Sequence, residues 1–133
     1  MQNTHSLWTR LGALALVAAT SLIPAASAHA KDGDVIKRGN CSARADWKLK
    51  ASPESGGSIE VEGEVDSNKV GQSWHWKIKH NGSLSARGTK TTRAPSGSFT
   101  VRRVLVDLRG ADDILFKARN SSSGEVCRAS LTF

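Results

Sequence analysis

From Cys41 onward, apolar and polar residues alternate with a period of two. Cys41, Ala43, Ala45, Trp47, Leu49 and Ala51 fall on one face; Ser42, Arg44, Asp46, Lys48 and Lys50 fall on the other. Successive side chains of an extended chain point to opposite sides, so the pattern predicts a strand with one face in a core. Ser52-Pro53-Glu54-Ser55-Gly56-Gly57 then supplies the proline and glycines of a connection. Alternation returns with Ile59, Val61 and Val65 against Glu60, Glu62, Glu64 and Asp66, and Gly63 takes an inward position where a bulge or a close backbone approach is expected. A third strand from Ser73 directs Trp74, Trp76, Ile78 and His80 inward and His75, Lys77 and Lys79 outward. Asn81-Gly82 follows, and this pair suits a two-residue hairpin turn whose central residues both need positive φ. The fourth strand therefore pairs back from Ser83, with Leu84 and Ala86 inward and Ser85 and Arg87 outward.

Beyond the break at Ala94-Pro95-Ser96-Gly97, Phe99 and Val101 start a fifth strand, while Val104, Val106 and Leu108 continue one residue out of phase. A bulge at Arg102-Arg103 would restore the phase. Ile114, Phe116 and Ala118 then alternate with Leu115, Lys117 and Arg119, and a turn over Asn120 to Gly124 leads to Cys127, Ala129, Leu131 and Phe133. Seven short strands without helical periodicity predict an all-β, seven-stranded antiparallel sandwich over residues 41–133, with 31–40 as a short lead segment.

The N-terminus has a different character. Arg10 precedes an apolar run from Leu11 to Ile23, then Pro24 and small residues, the pattern of a cleaved secretory signal peptide over residues 1–30. Ala26-Ser27-Ala28 and Ala28-His29-Ala30 both offer a cleavage frame. The run is shorter than the roughly 20 residues a membrane span needs, and no later run approaches that length. The expected product is secreted, extracellular or held at the cell surface, and has no transmembrane segment. In an oxidising compartment the only two cysteines, Cys41 and Cys127, are expected to pair. Closing so long a loop would constrain the unfolded chain by ~4.5 kcal/mol in the chain-entropy model.

The whole 133-residue chain carries a formal charge of +7, which loss of Arg10 with the leader lowers by one. Where the bases lie matters more than their number. His75, Lys77, Lys79 and Arg87 fall on the outer face of the hairpin, followed by Lys90 and Arg93 on its exit and by Arg102 and Arg103 on the fifth strand. These eight form a candidate basic face for an anionic polymer. Four carboxylates at alternate positions from Glu60 to Asp66 diverge along a strand instead of converging on a cation, and cross-strand pairing with Lys48 and Lys50 accounts for them.

Trp47, Trp74, Trp76, Phe99, Phe116 and Phe133 all take inward phases, which leaves no ring outside to stack on sugars or bases, so specific nucleic-acid binding is not expected. His75 and His80 lie five apart on a strand and so point to opposite faces, and turn chemistry accounts for Asp112-Asp113. There is no G-x-S-x-G, no H-E-x-x-H and no phosphate-binding glycine loop. No catalytic set, cofactor or metal site is expected.

Cys41 to Lys50, Ile59 to Gln72, His80-Asn81-Gly82, Arg93 to Phe99 and Gly124 to Cys127 together resemble a group of small secreted actinobacterial proteins. The resemblance spans the mature chain and implies a compact immunoglobulin-like sandwich with one disulfide. It implies no catalytic residue and no ligand. The leading expectation is a monomeric, non-enzymatic binding module whose basic face meets an anionic envelope polymer or an acidic protein. The alternative is an inhibitor or partner-binding domain that works through the loops Ser52 to Gly57 and Arg93 to Ser98.

Overall fold

A computed structural model describes residues 33–133. The expected signal peptide and its cleavage frames lie outside those residues. Eight strands are present: β1 (Val35–Asn40), β2 (Asp46–Glu54), β3 (Ser58–Asp66), β4 (Ser73–His80), β5 (Ser83–Thr91), β6 (Ser98–Val106), β7 (Asp113–Asn120) and β8 (Val126–Thr132). They form two antiparallel four-stranded sheets, β1-β2-β3-β6 and β5-β4-β7-β8, stacked as a sandwich. No helix occurs among the described residues.

The eighth strand is β1, from the expected lead segment. It pairs with β2 along its whole length, Val35 opposite Ala51 to Asn40 opposite Asp46. Its sequence hides the pairing because Lys37 and Gly39 take the inward phase behind Val35, leaving one apolar residue where alternation would show three. Cys41 to Ala45, by contrast, is a turn closed by the Cys41 N–H on the Ala45 carbonyl at 2.8 Å, so β2 begins at Asp46 and not at Cys41. At its other end β2 runs on through Ser52, Pro53 and Glu54, which shortens the following connection to three residues.

Two more details differ from the sequence reading. β6 has no bulge: it pairs with β3 in continuous register from Ser98 opposite Asp66 to Val106 opposite Ser58. Arg103 and Leu105 consequently keep the inward phase, and Val104 and Val106 face solvent. A bulge sits instead in the β4–β5 hairpin, where Ile78 faces Ala86 but Lys79 faces Leu84. Ser85 is the extra residue, and it turns Leu84 outward to 52% exposure. The turn itself is as expected, with Asn81 and Gly82 at φ of 47° and 80°.

Leu49, Ile59, Val61, Val65, Trp74, Ile78, Val101, Ile114 and Phe116 are fully buried between the sheets. Each large apolar side chain so covered contributes about 1.5–3 kcal/mol relative to exposure. At Gly63 there is no bulge, since its register with Leu49 and Val101 is unbroken; of the two expectations there, the close approach holds, and what approaches is the Phe116 ring. A Cβ there would stand 2.6 Å from the Phe116 ring, which occupies that space from the opposite sheet. Cys41 and Cys127 are bonded, tying the turn before β2 to buried Cys127 on β8. Around the bridge the Glu125 carboxylate accepts the N–H groups of Ala43 and Ala45 at 3.2 and 2.8 Å, and Ser42 Oγ accepts that of Val126 at 2.9 Å.

Candidate functional site

The outer face of sheet β5-β4-β7-β8 collects cations by register. Lys77 on β4 lies opposite Arg87 on β5 and opposite Lys117 on β7, and Lys117 lies opposite Arg128 on β8. Residues directly opposite in an antiparallel ladder share a face, so these four form one row across the sheet. With strands ~4.8 Å apart, the row is about 14 Å long. The row beside it runs Thr89, His75, Arg119 and Val126; the row on the other side runs Leu84, Lys79, Leu115 and Ser130. Each side chain is placed by strand alternation, because its neighbours Trp76, Ile78, Phe116, Ala118, Cys127 and Ala129 are locked in the core.

None of Lys77, Lys79, Arg87, Lys117, Arg119 and Arg128 is in an ion pair among the described residues. Asp113 at the start of β7 borders the face, and its carboxylate accepts a hydrogen bond from Thr132 Oγ1 at 2.8 Å. Two open hollows lie on the face and share Lys77. One, of about 540 Å³, is lined by His75, Arg87, Thr89, Lys117 and Arg119 among others; the second, of about 460 Å³, by Lys37, Lys79 and Arg128 among others. His75 Nδ1 is held 3.0 Å from Thr89 Oγ1, which fixes the imidazole on the rim of the first hollow. Cations held side by side without counter-charge create a concentrated positive potential, suited to an extended anion.

Of the eight basic residues read from the sequence, the structure brings His75, Lys77, Lys79 and Arg87 together on this face. Lys90 lies opposite Trp74 on the inward phase of the β5 edge, and Arg93 closes the turn to β6 through its backbone bonds with Ser98. Arg102 lies on the outer face of the other sheet, where its guanidinium meets Glu62 at 2.8 Å. Arg103 turns inward at the sandwich edge, its guanidinium 4.9 Å above the Trp76 ring. Lys117, Arg119 and Arg128 complete the face instead. The alternation of β7 and β8 already points them outward; what periodicity along the chain leaves out is that β7 lies beside β4.

The outer face of sheet β1-β2-β3-β6 holds a different arrangement. Lys48 reaches Glu62 at 3.0 Å and Glu64 at 2.8 Å, Arg102 reaches Glu62, and Lys50 pairs with Asp34 at 3.1 Å instead of with the β3 acids. Burial alone would raise the Glu62 pKa, but hydrogen bonds and charge from Lys48 and Arg102 outweigh it and hold the carboxyl below its usual range. Lys48 is raised in turn, its two carboxylates outweighing the effect of burial.

A third polar group lies at one end of the sandwich. Asp112 is fully buried; its carboxylate is hydrogen-bonded to His80 Nε2, to Asn81 Nδ2 at 3.2 Å and to the Leu108 N–H at 3.2 Å. Burial pushes its pKa up, and the His80 and Leu108 donors, His80 foremost, overcome that and leave it lowered. The group pins the β4–β5 turn to the β6–β7 connection. His75 and His80 are on opposite faces, and among the described residues no three His, Cys, Asp or Glu side chains are grouped to hold a metal ion.

Trp74, Trp76, Phe99 and Phe116 are buried and Trp47 and Phe133 half-buried, so none of these six rings stands out from the basic face; Trp76 only lines the first hollow, and the His75 imidazole lies on its rim. Of the two alternative loops, the first is half strand, Ser52 to Glu54 belonging to β2. The second is a tight turn in which Arg93 and Gly97 are bonded through their backbones. No protein-family model, curated protein or solved structure matches the chain.

Proposed function

We propose that the protein is a secreted, non-enzymatic binding module that meets an anionic envelope polymer through the outer face of sheet β5-β4-β7-β8; an acidic protein surface is the other ligand of the same charge. The observation that carries this reading is the in-register row Arg87, Lys77, Lys117 and Arg128, which no acidic side chain among the described residues neutralises. Like charges placed directly opposite in a ladder oppose folding, so four in succession cost stability that an anion laid across them would return. The disulfide suits an extracellular protein. The scaffold is read as immunoglobulin-like: β5-β4-β7-β8 follows the order C′-C-F-G, and β2-β3-β6 follows A-B-E, with β1 added at the edge.

The test is retention of the purified, oxidised protein on envelope and secreted fractions of its own host at low and moderate salt. Capture of a polyanion that fades as salt rises, and that disappears when Lys77 and Lys117 are both changed to Glu, supports the reading. Retention unchanged by that reversal overturns it.

A further inference from the structure

The sandwich has four edge strands, and three of them are guarded against pairing with another chain. β1 is short and carries Lys37 and Arg38; β5 is interrupted by its bulge and carries Arg87 and Lys90; β8 has seven residues with Arg128 among them. Charges, short length and bulges are the usual means of keeping a sheet edge from templating another strand. β6 differs. It has nine residues in unbroken register with β3; its two charges stand at mid-strand, Arg102 paired with Glu62 and Arg103 laid over Trp76, and its last three residues, Val104-Leu105-Val106, have neither charge nor proline. Val104 and Val106 are each 64% exposed, with Leu108 beyond them at 46%. The chain stays alongside β3 past the end of the strand, since the Asp107 N–H donates to the Gly57 carbonyl at 2.9 Å.

We infer that β6 is the interface of a two-fold dimer, paired antiparallel with β6 of a second copy about Leu105. The sequence itself selects this occupant and register. Centring the pair on Leu105 sets Val104 against Val106, and Arg102 against Leu108, on the outer side. On the inner side it sets Arg103 against Asp107, so that each copy presents an opposite charge to the other at both ends of the apolar centre. One outward apolar pair and one charge pair are thereby satisfied twice, as a two-fold interface requires.

In that dimer β1-β2-β3-β6 becomes half of a continuous eight-stranded sheet, with its two-fold axis perpendicular to the sheet. Both basic faces, on the second layer of each copy, then look the same way. The dimer stands independently of any ligand; where a long polyanion is bound, the second face raises avidity without a new contact.

Sedimentation velocity of the purified, oxidised protein over a concentration series decides the matter. A reversible monomer–dimer equilibrium is expected. Val104→Lys should leave a folded monomer, and Leu84→Lys, on the guarded β5 edge, should leave the dimer intact. Arg103→Asp and Asp107→Arg should each weaken association about tenfold by placing like charges opposite one another. An equal mixture of those two variants should recover it, since only the mixed dimer has opposite charges at both contacts. A monomer at every concentration, a dimer indifferent to Val104→Lys, or a mixture no stronger than its components overturns the inference. None of these outcomes depends on retention by a polyanion, so the dimer and the proposed function fail separately.

Discussion

The two outer faces of the sandwich are built from the same kind of strand and both carry bases, Arg38, Lys48, Lys50 and Arg102 on one and Lys77, Lys79, Arg87, Lys117, Arg119 and Arg128 on the other, yet they differ electrostatically. On sheet β1-β2-β3-β6 the acids of β3 lie between the bases of β2 and β6, and Lys48, Glu62, Glu64 and Arg102 form a connected network. On sheet β5-β4-β7-β8 every strand contributes a base to one row and no strand contributes an acid to it. Net charge is shared by the whole molecule; a patch is made by which strands are neighbours.

The largest effect expected is one that removes both faces at once. Changing Cys41 and Cys127 to Ser opens a loop with a sequence separation of 86, and stability should fall by ~4 kcal/mol as read by denaturant unfolding of oxidised and variant proteins. Next, Lys77→Glu with Lys117→Glu should reduce polyanion affinity on the order of a hundredfold at low salt and flatten its salt dependence, while leaving the melting temperature unchanged or higher. Binding isotherms at several salt concentrations, with thermal unfolding alongside, read both parts.

The reciprocal change tests the neutralised face. Glu62→Gln strips Lys48 and Arg102 of their shared partner and should cost about 1 kcal/mol in denaturant unfolding. It should also give the first sheet a weak affinity for polyanions that the parent lacks there, visible as residual binding in the Lys77→Glu, Lys117→Glu background. No residual binding would mean that geometry, and not charge alone, makes the second face.

The smallest effects are expected from pH. Asp112 and Glu62 are both lowered in the folded protein, from ordinary values of 3.8 and 4.5, so their contributions are complete above those values and decline as pH falls through the folded ones. Lys48 is raised from 10.5, so its contribution is complete below that value and is lost as pH rises through the folded one. Unfolding free energy measured across pH should therefore sag below about 4.5, and the sag should shrink in Glu62→Gln.

Much of the architecture was legible in the sequence. The Asn81-Gly82 hairpin, the inward Trp74, Trp76 and Phe116 and the close approach at Gly63 rest on local rules that the structure follows, and the pairing of the two cysteines on there being only two. Apart from the two ends of β2, the misreadings fall where an edge relaxes those rules. β1 tolerates Lys37 and Gly39 on its inner phase because only part of it is covered, and β6 tolerates Arg103 there because Trp76 receives the guanidinium. In β6 the apolar Val104 and Val106 looked like an inward phase, but the register with β3 turns them to solvent. The basic face was half legible for a different reason. Pairing through a two-residue turn is local, so Lys77 and Arg87 could be joined, whereas Lys117 and Arg128 reach the row through strands far along the chain.

The disulfide also decides how the molecule would bear a mechanical load. A pull applied to the two flanks of the domain enters before Cys41, crosses the sulfur–sulfur bond and leaves after Cys127. The chain between the two cysteines, with six of the eight strands entire and most of the core, lies outside that path and cannot be drawn out while the bond holds. Only β1 and the part of β8 beyond Cys127, Arg128 to Thr132, are in line with the force, and they would peel away first. Both strands are sheet edges. Under such a load the chain would yield a short length at its margins, Arg128 with it, while Arg87, Lys77 and Lys117 stay folded behind the bond.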